Sequence, residues 1–150
     1  MAPVFTLVPS EFFAEETARD MLSEVVPLKG GEPLSFIEIP AFKAVMVYVG
    51  DRRPEVYGML MSVCKVKEYN KILISFNGGW LNLVLAQGDS LLLCNTYTVP
   101  DFTTALYYLF AVMKKFQINP EISTVYFMGE LKSEEVISLC NYFKSAEALR

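Results

Sequence analysis

The sequence contains no histidine. That absence removes the side chain that titrates nearest neutral pH and most often serves as general base or zinc ligand. Ser-His-Asp and Cys-His hydrolysis are excluded, as are His-containing zinc centres. An all-thiolate zinc site needs four cysteines, and the chain has three, Cys64, Cys94 and Cys140, far apart in sequence. Such a set reads as reduced, mostly buried thiols of a reducing compartment. Charge is also sparse, at 20% of residues, with 13 basic against 17 acidic. The only adjacent basic pairs are Arg52-Arg53 and Lys114-Lys115, each read as a solvated helix end. The concentrated basic face that a nucleic-acid partner requires is missing. No apolar run reaches the roughly 18 to 20 residues of a membrane-spanning helix; the densest, Thr104 to Met113, is predicted to be a buried helix. Met1-Ala2-Pro3-Val4 shows no basic segment leading into an apolar one, so a cytoplasmic location without a secretory signal is expected. Neither GxxxxGK[ST] nor GxGxxG occurs.

What is present is apolar. A chain of 150 residues that is 53% hydrophobic and 13% aromatic has the length and composition of a globular domain with a real core, which excludes disorder and a disulfide scaffold. Val4 to Val8 reads as a strand ending at Pro9, with Ser10 as N-cap of a helix opening on Glu11. Phe13, Thr17 and Met21, with Ala14, Ala18 and Leu22, give that helix an apolar stripe. Lys29-Gly30-Gly31-Glu32-Pro33 is a turn. Strands are expected over Leu34 to Ile39 and Lys43 to Val49, the second covered on both faces, and a Met-rich helix over Val56 to Val66 after Pro54.

From Asn70 the pattern is clearer. Ile72, Ile74 and Phe76 alternate with Leu73 and Ser75, and Asn77-Gly78-Gly79 interrupts. Leu81, Leu83 and Leu85 then line one face opposite Trp80, Asn82 and Val84. After Gln87-Gly88-Asp89-Ser90 a third strand, Leu91 to Thr98, returns antiparallel. Asp101 is the expected N-cap of a helix from Phe102 to Phe116. Ser123 to Met128 is a strand, and Ser133 is read as the cap of a helix that sends Val136, Ile137, Cys140 and Phe143 inward. The order β, β, β, α, β, α is that of a ribonuclease-H-like unit with a mixed sheet, so the fold class expected is mixed α/β. Val4 to Leu7 before one helix echoes Val125 to Met128 before another, a sign of duplicated lobes.

The candidate sites are few. Nucleases on this fold gather carboxylates on divalent metal, and the meander here offers the neutral Ser75, Asn77 and Asn82 instead. Gly78-Gly79 is either a hairpin device or an anion cradle of backbone N–H groups. Trp80 is either strand packing or a partner-contact aromatic. Tyr97, Tyr107 and Tyr108 either line a cleft or pack at a sheet-helix boundary.

Three stretches carry a resemblance: Ile74-Ser75-Phe76-Asn77-Gly78-Gly79-Trp80-Leu81; Leu92-Leu93-Cys94-Asn95-Thr96-Tyr97 with Pro100-Asp101-Phe102 and Tyr107-Tyr108; and Phe127-Met128-Gly129-Glu130. Together they resemble the C-terminal part of an uncharacterised Bacteroidetes family whose members are similar to actin-like ATPases in fold, with two ribonuclease-H-like lobes in one chain. The likeness is strongest over residues 71–131. It is looser at Leu7-Val8-Pro9, Phe12-Phe13 and Glu15-Glu16, which are similar to the end of a first lobe. The resemblance implies residues 1–69 as the remnant of a first lobe, whose own meander the chain starts too late to include, and residues 70–150 as a ribonuclease-H-like second lobe. In active actin-like ATPases the second meander opens with an Asp-x-Gly-Gly type turn that contacts phosphate. In that pattern the Asp falls on Ser75 and its first glycine near Asn77, while Gly129-Glu130 stands where those ATPases carry a glycine pair beside the adenine. The expectation is therefore a non-catalytic actin-like domain acting through protein contacts or self-association, with no catalytic residue, metal or cofactor. The alternative is an ATP-binding protein with weak or no hydrolysis, in which Asn77, Gly78, Gly79 and Gly129 touch the nucleotide and Mg²⁺ accompanies it.

Overall fold

A computed structural model describes residues 4–24, 28 and 30–149. Met1 to Pro3, Lys29 and Arg150, on which the leader reading, part of the first turn and the last position of the second lobe rest, lie outside the described residues. The elements stack as alternating layers of helix and sheet. Strands β1 (Phe5–Pro9), β2 (Leu34–Ile39) and β3 (Ala44–Val49) form an antiparallel sheet in the order β1-β3-β2. Central β3 is apolar almost throughout because both its faces are covered. Val47 faces helix α1 (Ala18–Ser23), where Ala18 and Leu22 are fully buried, and Met46 and Tyr48 face helix α2 (Glu55–Val63). In α2, Val56, Met59, Leu60 and Val63 follow the 3.6-residue period and are all fully buried.

The opposite side of α2 meets a second sheet of five strands in the order β6-β5-β4-β7-β8. Strands β4 (Asn70–Asn77), β5 (Trp80–Gln87) and β6 (Ser90–Thr98) form the predicted antiparallel meander, and β7 (Thr124–Phe127) adds parallel to β4. Helices α3 (Phe102–Lys115) and α4 (Ser133–Cys140) cover the far face, where Ile72, Ile74, Leu81, Leu83, Leu85, Leu109 and Leu139 form one continuous core. The alternation of β4 and β5 thus sends one set of side chains to α2 and the other to α3 and α4. Asp101 caps α3 as expected, accepting the Thr104 N–H at 2.7 Å.

Several expectations change. The parallel edge strand β8 (Ser145–Ala148) was not foreseen, because Ser-Ala-Glu-Ala has little strand character; pairing with β7 and the 2.8 Å contact of Thr124 Oγ1 with Ser145 Oγ hold it there. Ser10 caps no helix. Its N–H donates to Lys43 O at 2.9 Å, extending the β1 ladder, and short 3-10 turns at Ser10–Phe12 and Glu15–Thr17 precede α1. Ser133 is the first residue of α4 and not its cap; Lys132 takes that place, its N–H bound to Glu135 Oε1 at 2.9 Å. Within α4, Ile137 and Cys140 point outward and Leu139 is the buried residue, with Phe143 beyond the helix also inside. The Thr104 to Met113 stretch is buried on one face only, since Tyr107 is 71% exposed. The thiols are free but not mostly buried, for Cys64 and Cys140 are exposed and Cys94 is half-buried. The echo between the two strand-helix segments does not extend to pairing: β1 is an antiparallel edge strand and β7 a parallel interior one.

Candidate functional site

Ser75, Asn77, Asn82 and Thr96 of the meander converge at one end of the five-stranded sheet, beneath the first turn of α2. Leu73, Ser75 and Asn77 share the α2-facing side of β4. The ladder places Ser75 opposite Asn82 on β5, and Asn82 opposite Thr96 on β6. This yields a polar row across three strands, with Ser75 and Asn82 only 2% and 0% exposed. Buried donors without partners would be destabilising. A carboxylate from outside the meander meets them. Glu55 Oε1 accepts from Ser75 Oγ at 2.6 Å, and Glu55 Oε2 accepts from Asn77 Nδ2 at 2.9 Å and from Asn82 Nδ2 at 2.8 Å. Thr96 Oγ1 donates to Asn82 Oδ1 at 2.7 Å, completing the row. Among the described residues no buried side-chain nitrogen or oxygen lacks a partner.

Local sequence places Glu55. Gly50, at φ 93°, turns the chain out of β3, Pro54 forms the N-cap, and α2 opens on the glutamate, where the helix dipole favours negative charge. In sequence this stretch carries only the marks of a helix start, Pro54 before an apolar period. The signal that finds Glu55 is a pair of observations: an acid directly after a helix-starting proline, and two buried neutral side chains, Ser75 and Asn82, paired across β4 and β5.

The hairpin between β4 and β5 separates two cavities. On the α2 side, one of about 360 Å³ is lined by Val4, Val49, Arg52, Arg53, Pro54, Glu55 and Trp80, so Trp80 stands half-buried at a rim. Arg52 and Arg53 are exposed, Arg53 lying 4.9 Å from the Tyr57 ring centroid. On the α3 side, where Phe76 packs edge-on against Phe102 at 5.2 Å, one of about 440 Å³ is lined by Phe76, Gly78, Glu130, Leu131, Lys132 and Glu135. The structure therefore brings Gly78 beside the turn that follows Gly129, but not Asn77, whose amide is turned to the opposite face and bound by Glu55. Tyr97 and Tyr108 stack at 4.8 Å instead of lining a cleft.

The side-chain donors Ser75, Asn77 and Asn82 are all bound to the Glu55 carboxylate. Magnesium at a phosphate site is held by one or two carboxylates together with phosphate oxygens and waters, and here both oxygens of the Glu55 carboxylate already accept hydrogen bonds. No cluster of three acid, cysteine or histidine side chains occurs among the described residues. A fixed carboxylate beside the hairpin also repels phosphate.

A model for a family described as protein of unknown function (DUF3822) matches residues 58–145. No curated protein matches. A solved structure from Bacteroides thetaiotaomicron, described as a protein with actin-like ATPase fold and unknown function, superposes with a TM-score of 0.78 at 19% identity. The match covers 97% of this chain and 65% of that one, so this chain spans about 65% of the length of that protein. The likeness shows the fold, and the resemblance read from the meander and the mixed α/β expectation are both borne out.

Proposed function

The chain belongs to the DUF3822 family of proteins of unknown function, and within it we propose a non-catalytic actin-like domain that acts through contacts with other proteins. The observation that carries this reading is the Glu55 carboxylate. It occupies Ser75, Asn77 and Asn82, the donors at the hairpin where, by the resemblance, an active ATPase would meet phosphate. This carboxylate, open to solvent on one side but held by three hydrogen bonds, makes that end of the sheet part of the scaffold. Intact core patterning beside a filled donor set suits a protein whose fold is kept for its surface. Trp80, at its cavity rim with Arg52 and Arg53, offers residue types that dominate protein interfaces. The scattered basic residues fit a partner other than nucleic acid. No helix among the described residues is long and apolar enough to cross a membrane.

One observation favours a second reading, nucleotide binding without appreciable hydrolysis: Gly78 and Lys132 line one cavity beside the turn after Gly129. Thermal unfolding with Mg²⁺ and ATP separates the two. A ligand at 100 times its dissociation constant stabilises by about 2.7 kcal/mol. The contact reading expects no shift in millimolar nucleotide and no hydrolysis above buffer. Saturable stabilisation or turnover that Gly78→Ala abolishes would overturn it; the substitution meets open space and leaves the fold intact.

A further inference from the structure

Among the described residues four strands end the two sheets, and three of them carry the devices that keep a sheet edge from pairing with another chain: brevity, proline or charge. β1 has five residues and ends in Pro9, β2 has six and includes Glu38, and β8 has four and includes Glu147. β6 is different. It runs nine residues, Ser-Leu-Leu-Leu-Cys-Asn-Thr-Tyr-Thr, without a charge or a proline. Its one irregularity is an extra residue, Leu92, and from Leu93 to Thr98 it pairs with β5 in unbroken register. Among the described residues no backbone group outside β5 pairs with it; only the Asn95 side chain reaches back, Oδ1 accepting the Thr96 N–H at 2.9 Å.

The edge is continuous with an aromatic shelf. Tyr97 of β6 stacks on Tyr108 of α3 at 4.8 Å, and Tyr108 meets Tyr107 edge-on at 5.8 Å. Tyr107 is 71% exposed, and tyrosine is a residue type that interfaces favour. An unpaired ladder and an exposed ring beside it are independent marks of the same surface.

We propose that β6 pairs antiparallel with β6 of a second copy of this chain about a two-fold axis, joining two five-stranded sheets into one, with the tyrosine shelves covering the seam. The uncharged edge favours a copy of itself. It gives a charged peptide nothing to complement, whereas self-pairing opposes no like charges at any register. The geometry also closes: the free edge left in each copy is β8, short and charged, so pairing stops at the dimer. This names one partner within the contact reading and is independent of the nucleotide question.

Light scattering on the full chain across concentration tests it. The wild type should approach twice its 16.9 kDa mass. Asn95→Lys and Thr98→Lys, both at exposed edge positions, should each raise the dimer dissociation constant at least tenfold. Glu147→Lys on the far edge should leave it unchanged. Circular dichroism checks folding, and the second lysine variant serves if the first misfolds. A wild type monomeric at every concentration, or a dimer indifferent to both lysines, would overturn self-pairing while leaving contact with a foreign protein standing; nucleotide binding would overturn the contact reading and leave the dimer.

Discussion

The two faces of β4 and β5 are buried alike and built from different chemistry. Towards α3 and α4 the side chains are Ile72, Ile74, Leu81, Leu83 and Leu85, none more than 1% exposed. Towards α2 the row begins the same way, with Leu73 and Val84, then changes to Ser75 and Asn82 without becoming more exposed. Burial therefore does not explain the polarity. The first face is indifferent to which apolar neighbour covers it, since the hydrophobic effect has no direction. The second demands a particular acceptor at a particular place, because unpaired buried donors cost about 1–3 kcal/mol each. Glu55 meets that demand and thereby fixes where the first turn of α2 stands on the sheet.

The contrast can be broken or sharpened by substitution. Leu83→Ala, on the apolar face, should lose about 2–5 kcal/mol in urea unfolding, the cost of a buried leucine and its cavity. Asn82→Leu keeps the volume and strips Thr96 and Glu55 of a partner; it should cost about 1–3 kcal/mol. A gain in stability there would mean that the two faces obey the same rule after all. A smaller effect is expected at Asp101, whose carboxyl is held below the usual range by its hydrogen bonds with Thr104. A lowered folded-state pKa contributes stability above the ordinary carboxyl range, lost as pH falls through the lowered value. The deficit of Asp101→Ala against the wild type should thus be present at neutral pH and vanish in acid. Least in energy is a contrast of reactivity. Burial pushes the Cys94 thiol up to about 12, and its side chain packs against the α2-side core. Iodoacetamide at mildly alkaline pH should label the exposed Cys64 and Cys140 and spare Cys94, as mass mapping of the native protein would show.

Much of the second sheet was legible because its strands obey a period of two and its turns carry Asn-Gly-Gly and Gly-Asp. The α3 cap was legible because Asp101 sits just before an apolar period. β8 was not, for its residues have no strand preference of their own and are held by β7. The helix after Pro9 was misread because Ser10 answers to a ladder partner, Lys43, distant in sequence. The candidate site was half legible. Ser75, Asn77 and Asn82 stood out as neutral residues where acids would serve metal chemistry, but their acceptor lies about 20 residues upstream on another element, and no local pattern links the two. Packing α2 between the sheets makes that link.

A double-mutant cycle of Glu55→Ala and Asn82→Ala, read by denaturant unfolding, tests most directly whether the carboxylate and the buried amide form one unit. A coupling energy of about 1–2 kcal/mol is predicted, since either change alone already breaks the bond. Losses that add to within about 0.5 kcal/mol would contradict it, because groups that do not interact behave additively.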